Sequence, residues 1–119
     1  MEILTVATSE ERLRQVLAGV NEDVVVCGHT HMQFDRVCEG KRVVNAGSVG
    51  MPYGDPGAYW LLLGPTVSLR KTNYDLEGAA ELVRKTRYPL AQDFADNNIL
   101  KPEPAQEAVE YFERMAAKD

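Results

Sequence analysis

Leu13, Val16, Leu17 and Val20 recur at helical spacing behind Thr8, which stands three residues before Glu11 as in a capping box. The pattern predicts a first helix over Ser9 to Val20, broken by Asn21-Glu22-Asp23. Val24-Val25-Val26-Cys27 is an unbroken apolar run dominated by β-branched residues, which predicts a strand buried on both faces, as in α/β sheets. Met32 to Val37 and Arg42-Val43-Val44 flank Glu39-Gly40 and predict a hairpin. The segments Asn45-Ala46-Gly47-Ser48-Val49-Gly50 and Pro52-Tyr53-Gly54-Asp55-Pro56-Gly57 are dense in turn formers, so a long irregular connection follows. Ordered loops of that length are often functional. Ala58 to Leu63 and Val67 to Thr72 predict two further strands joined at Gly64-Pro65.

From Asp75 the period changes from strand-like to helical. Asp75 is placed to cap a helix with Leu76, Ala79, Ala80 and Val83 on one face, and Pro89 closes it. Leu90 to Asp96 predicts a short helix before Asn97-Asn98. Pro102 and Pro104 then open a last helix with Ala105, Ala108, Val109, Phe112 and Met115-Ala116 on one side. The expected organisation is one α/β unit over 1–119, sheet-forming over 1–74 and helical over 75–119.

Composition narrows the function. At 119 residues, 45% apolar and 26% charged, the chain has the balance of one small globular domain. Its net charge of -5 offers no counterion-releasing grip on a nucleic-acid backbone. The longest basic concentration, Arg84, Lys85 and Arg87, falls at a predicted helix end, where cations complement the helix dipole. No apolar run approaches membrane-spanning length and the first residues lack a basic leader, so a cytoplasmic protein without a membrane partner is expected. Cys27 and Cys38 are too few for a disulfide scaffold.

The chemistry concentrates in one tetrapeptide. Both histidines of the chain lie in Gly28-His29-Thr30-His31, directly after the Val24 to Cys27 strand. In an extended segment His29 and His31 project to one side and Thr30 to the other, and Gly28 lets the backbone turn or be closely approached. Ligands of open α/β sheets gather beyond the carboxyl ends of strands, which is where this pair falls. Cys27 shares the parity of the two histidines, so a small zinc-binding face, with Cys38 as a further ligand, is an alternative.

Taken together, Gly28-His29-Thr30-His31 after an apolar strand, the hairpin, then Asn45-Ala46-Gly47-Ser48-Val49 and Pro52 to Pro56 resemble the closing third or half of the calcineurin-like metallophosphoesterases. The resemblance is greatest to the small bacterial and archaeal phosphodiesterase-type members, and its motifs span about Val24 to Leu63. It implies the C-terminal half of a four-layer αββα sandwich followed by a helical segment. It also implies a phosphoester substrate and a pair of divalent metals, manganese, iron, nickel or zinc, whose bridging hydroxide attacks phosphorus. His29 would bind one metal and His31 the other. Gly28 and Asn45 to Ser48, with Gly47, would line the site, and Tyr53 and Asp55 would be loop contacts.

The family's Asp-x-His, Gly-Asp-x-x-Asp and Gly-Asn-His-Asp/Glu elements, and one further histidine, are not in this chain. Gly54-Asp55 begins a similar run, but Ala58 stands where the second aspartate belongs. Two neutral imidazoles supply no negative charge to offset two divalent cations. The expectation is therefore a partial domain that binds metal weakly and does not hydrolyse phosphoesters efficiently by itself. Strands such as Val24 to Cys27 and Tyr59 to Leu63, lacking their cover, would pair with a complementary half or with a second copy. A non-catalytic oligomerisation or regulatory fragment is the alternative from a different class.

Overall fold

The computed structural model describes residues 2–118. The first helix, α1, covers Glu10–Leu17 and lays Leu13 and Leu17 onto a sheet. It is shorter than its hydrophobic period predicts, because Gly19 takes a φ of +84° and turns the chain away from the helix. Its cap is also one residue later than the capping-box spacing suggested. Ser9 accepts from the Arg12 amide, whereas Thr8 Oγ1 accepts from the Thr5 amide, at 2.8 Å, in a turn of its own.

The sheet contains β1 (Val24–Cys27), β2 (Phe34–Cys38) and β3 (Lys41–Asn45), in the order β1-β3-β2. Strand β3 is central, parallel to β1 and antiparallel to β2. The β2–β3 turn is the two-residue Glu39-Gly40 loop, with φ of +49° and +79°. Two successive positive φ values match the right-handed twist of hairpin strands. One sheet face carries Phe34, Cys38 and Val43 against α1 and Leu4, with Val25 and Cys27 packed alongside.

The other face differs from the reading of β1 as a strand buried on both sides. Val24 and Val26 are exposed, and so is Val37 of β2, at 68%. The alternation along β1 is exposed then half-buried, because β1 is an edge strand with a helix on one face only.

Strands β4 (Ala58–Leu63) and β5 (Val67–Thr72) form a separate antiparallel pair at the expected positions. A two-stranded sheet is marginal alone. Gln33 ties this one to the loop after β3: its Nε2 donates toward the carbonyls of Ala46, Trp60 and Arg70 at 3.0 to 3.2 Å.

Asp75 caps α2 (Leu76–Arg84) by accepting from the Gly78 amide, and Ala80 packs with Ala95 and Ile99 in a cluster of its own. The short helix α3 (Ala91–Phe94) runs into a π-helical stretch, Ala95–Leu100, that carries Asn97-Asn98. Those asparagines therefore do not end the helical segment. Asn97 donates to Asp93 along it, and Ile99 is buried beyond them. Helix α4 (Ala105–Ala116) buries Ala108, Phe112 and Ala116.

The apolar residues thus form three small clusters rather than one core: α1 on the sheet, Ile3 with α4, and α2 with the π-helical stretch. The radius of gyration is 16.0 Å, against about 13.5 Å for a compact chain of this length. The molecule is accordingly flat, 47 by 38 by 23 Å.

Candidate metal-ligand site

Beyond Cys27 the backbone stops being extended. His29 has a φ of +71° and His31 of +59°. The Thr30 amide donates to the Gly28 carbonyl at 2.9 Å, which closes a three-residue γ-turn on His29. A γ-turn with positive φ at its central residue is rare and strained. Two left-handed residues, and not strand alternation, set the directions of the imidazoles, which border the same pair of rings, Tyr53 and Phe112. Gly28 differs from expectation as well: a Cβ placed on it would meet nothing within 4 Å, and no positive φ demands glycine. Its contribution is its carbonyl oxygen.

The turn is held by side chains buried beneath it. Thr30 and Asn45 are each 0% exposed. Asn45 Nδ2 donates to the Gly28 carbonyl at 3.0 Å and to Thr30 Oγ1 at 3.1 Å, while its Oδ1 accepts from the Gly47 amide at 2.9 Å. Thr30 Oγ1 in turn donates to the Leu4 carbonyl at 2.9 Å. Asn45 thus clamps the strand ends on either side of the histidines from below, where the sequence had suggested a residue of the lining loop. Gly47 is fixed by its φ of +83° and by contact, since an added Cβ would lie 2.8 Å from both Gln33 Cγ and Tyr59 Cβ.

Ser48 acts on the opposite side. Its Oγ accepts from the Met51 amide at 2.9 Å, shaping the turn that presents the Met51 carbonyl to His31 Nδ1, also at 2.9 Å. A carbonyl only accepts, so Nδ1 carries the proton and the neutral ring keeps its lone pair on Nε2. A ligating histidine is normally fixed in this way through its second nitrogen.

Aromatic residues complete the surround. Tyr53 lies 6.2 Å from the His31 ring and 6.0 Å from Phe112, and Phe112 meets His29 edge-on at 6.0 Å. Burial, with Glu103 and Tyr111 nearby, holds the Tyr53 phenol above its usual range. Phe112 comes from α4, whose Glu113 accepts from Thr5 Oγ1 at 2.6 Å. No spacing in the sequence pointed to Phe112 as a neighbour of His29.

The remaining candidates lie elsewhere. Asp55 is exposed and offers its backbone carbonyl to the Tyr59 hydroxyl at 2.8 Å. Cys27 turns toward the α1 cluster, and burial raises its thiol pKa. Cys38 pairs with Lys41 at the far end of β3 from Cys27, which pairs with Asn45, so the structure does not bring the two thiols together. Among the described residues no three or more of His, Cys, Asp and Glu gather where they could hold a metal ion. His31 has the orientation of a ligand, and the pair fits as part of a ligand set. Its charge does not fit a whole one.

Matched against known families, residues 3–64, just over half of the chain, fit the calcineurin-like phosphoesterase superfamily domain. No curated protein matches the chain in sequence. The matched stretch includes α1, the three-stranded sheet, both histidines, the loop from Asn45 and strand β4, while α2 to α4 lie outside it.

Proposed function

The chain belongs to the calcineurin-like phosphoesterase superfamily, and from that premise we propose that it is the histidine-bearing portion of a metal-dependent phosphoester hydrolase. In this reading His29 and His31 each ligate a divalent metal, and carboxylate ligands come from a complementary segment or chain. The observation that carries it is the orientation of His31, with Nδ1 donating to the Met51 carbonyl at 2.9 Å and the lone pair left on Nε2 for a metal. Manganese, iron, nickel and zinc all suit such a nitrogen. Bound divalent ions supply charge neutralisation and polarisation of the phosphoryl oxygens. The chain's own residues orient the imidazoles, through Asn45, Thr30 and the Ser48 turn, and surround them with Tyr53 and Phe112.

The test is a zinc titration followed by ring-nitrogen NMR of both histidines. Weak uptake that shifts Nε2 of His31 and is abolished by His31→Ala supports the reading. Uptake at Cys27, or none at either imidazole, defeats it. By itself the chain should hydrolyse bis(p-nitrophenyl) phosphate no faster with manganese than manganese alone.

A second reading, association without catalysis, is favoured by the exposed Val24, Val26 and Val37 on one sheet face and by the flat, three-cluster shape. Both readings call for a complementary segment or chain. They part on whether a metal is held.

A further inference from the structure

Beside His31 lies a cavity of about 270 Å³, and the class of ligand that it fits is readable from its walls. Val6, Met32, Tyr53, Tyr59, Ala105 and Val109 line it, together with His31 and Gln33. No carboxylate, ammonium or guanidinium lines it, so a charged group entering would lose its hydration without compensation. An apolar cavity of about 150 Å³ accommodates benzene, which makes this one large enough for an aromatic ring with a substituent.

The walls are fixed rather than loose. The Tyr59 hydroxyl donates to the Asp55 carbonyl at 2.8 Å, and Lys71 Nζ stands 5.4 Å from the centre of the Tyr59 ring. Tyr53 is wedged between His31 and Phe112. Gln33 spends its amide hydrogens on backbone carbonyls. Val6, at the mouth, is 61% exposed, so the cavity is open to solvent and to a ligand. Preformed apolar walls with few polar groups are what a small-molecule site requires.

We propose that this cavity receives the aryl or other flat apolar substituent of the phosphoester whose phosphoryl group sits at His31. The inference rests on the reading of His31 given above for its phosphoryl half, while the apolar half stands on the cavity alone. His31 is the link, since it both lines the cavity and carries the free Nε2. Two walls, Ala105 and Val109, come from α4, outside the stretch that matches the family domain. Substrate preference would therefore be set by a helix that the family motifs do not include.

The experiment compares phenylphosphonate with methylphosphonate on the whole chain, without metal, by methyl NMR. Phenylphosphonate should shift the Val6, Met32 and Val109 methyl signals and bind about tenfold more tightly than methylphosphonate, as expected for partial burial of one ring. Ala105→Trp, at an exposed position, and Val109→Phe, at a half-buried one, should each remove the difference while the circular dichroism of the folded chain persists. Equal binding of the two phosphonates overturns the proposal, as does a phenyl preference that survives in whichever variant folds. The comparison needs no metal, so failure of the zinc titration does not decide it, and its own failure leaves metal binding at His31 untouched.

Discussion

Replacing Asn45 by alanine tests whether the histidine turn is built from below. The substitution deletes three hydrogen bonds at once, to the Gly28 carbonyl, Thr30 Oγ1 and the Gly47 amide, at a residue that is fully buried. Each such bond contributes about 1 kcal/mol net, and groups left unpaired in the interior raise the loss, so about 3 kcal/mol is expected. With a urea m-value of about 1.5 kcal/mol/M, the unfolding midpoint should fall by about 2 M. The local consequence is more specific. Without its clamp the γ-turn at His29 should relax, because a left-handed non-glycine residue persists only where its surroundings over-determine it. The His29 ring signals should then move toward random-coil positions while those of α2, in a separate cluster, stay put. Ser48→Ala serves as control: it removes one solvent-exposed bond to Met51 and should change stability by less than about 1 kcal/mol. If Asn45→Ala loses under about 1 kcal/mol and leaves His29 unmoved, the clamp does not hold the turn.

Three other outcomes follow from the same structure. His29→Gly should stabilise the chain by about 1 kcal/mol in thermal unfolding, since glycine accepts φ of +71° without strain, yet reduce zinc uptake; a loss of stability would show that the turn is unstrained. Asp35 is paired with Arg42 across β2 and β3 at 2.6 Å, and that guanidinium holds the carboxyl below its usual range. A depressed folded-state pKa contributes stability above the unfolded value, about 3.9, and loses it as pH falls through the folded one. Asp35→Asn should therefore be less stable than the parent at neutral pH and converge with it on acidification; a constant difference down to pH about 2 would exclude the ion pair as the cause. Finally, the chain should self-associate with rising concentration in sedimentation velocity. Val26→Lys and Val37→Lys, both at exposed positions of one sheet face, should shift it toward monomer; a parent monomeric at every concentration would refute this.

Much of the secondary structure was legible in local pattern. The Glu39-Gly40 turn, the β4 and β5 boundaries and the Asp75 cap depend on residues within a few positions of one another, so the sequence alone determined them. The same holds for the family, because Gly28-His29-Thr30-His31 and Asn45-Ala46-Gly47-Ser48 are contiguous motifs. Where the reading went astray, the deciding force came from a distance. The valines of β1 read as buried on both faces, but β1 is an edge strand whose Val24 and Val26 stay exposed, while Val44 beside them on the central strand is fully buried.

The directions of His29 and His31 differ from those that strand alternation predicts. Alternation assumes extended backbone, whereas a hydrogen-bonded γ-turn, a buried asparagine and a threonine bound to Leu4 set the actual directions of the rings. Sequence determined only that His29 and His31 would be close along the backbone, since two residues in one tetrapeptide cannot be far apart. Only the tertiary structure decided which nitrogen of His31 is free, that Phe112 stands against His29, and that α4 walls an apolar cavity beside them. Those are contacts between segments remote along the chain, and local periodicity carries no record of them.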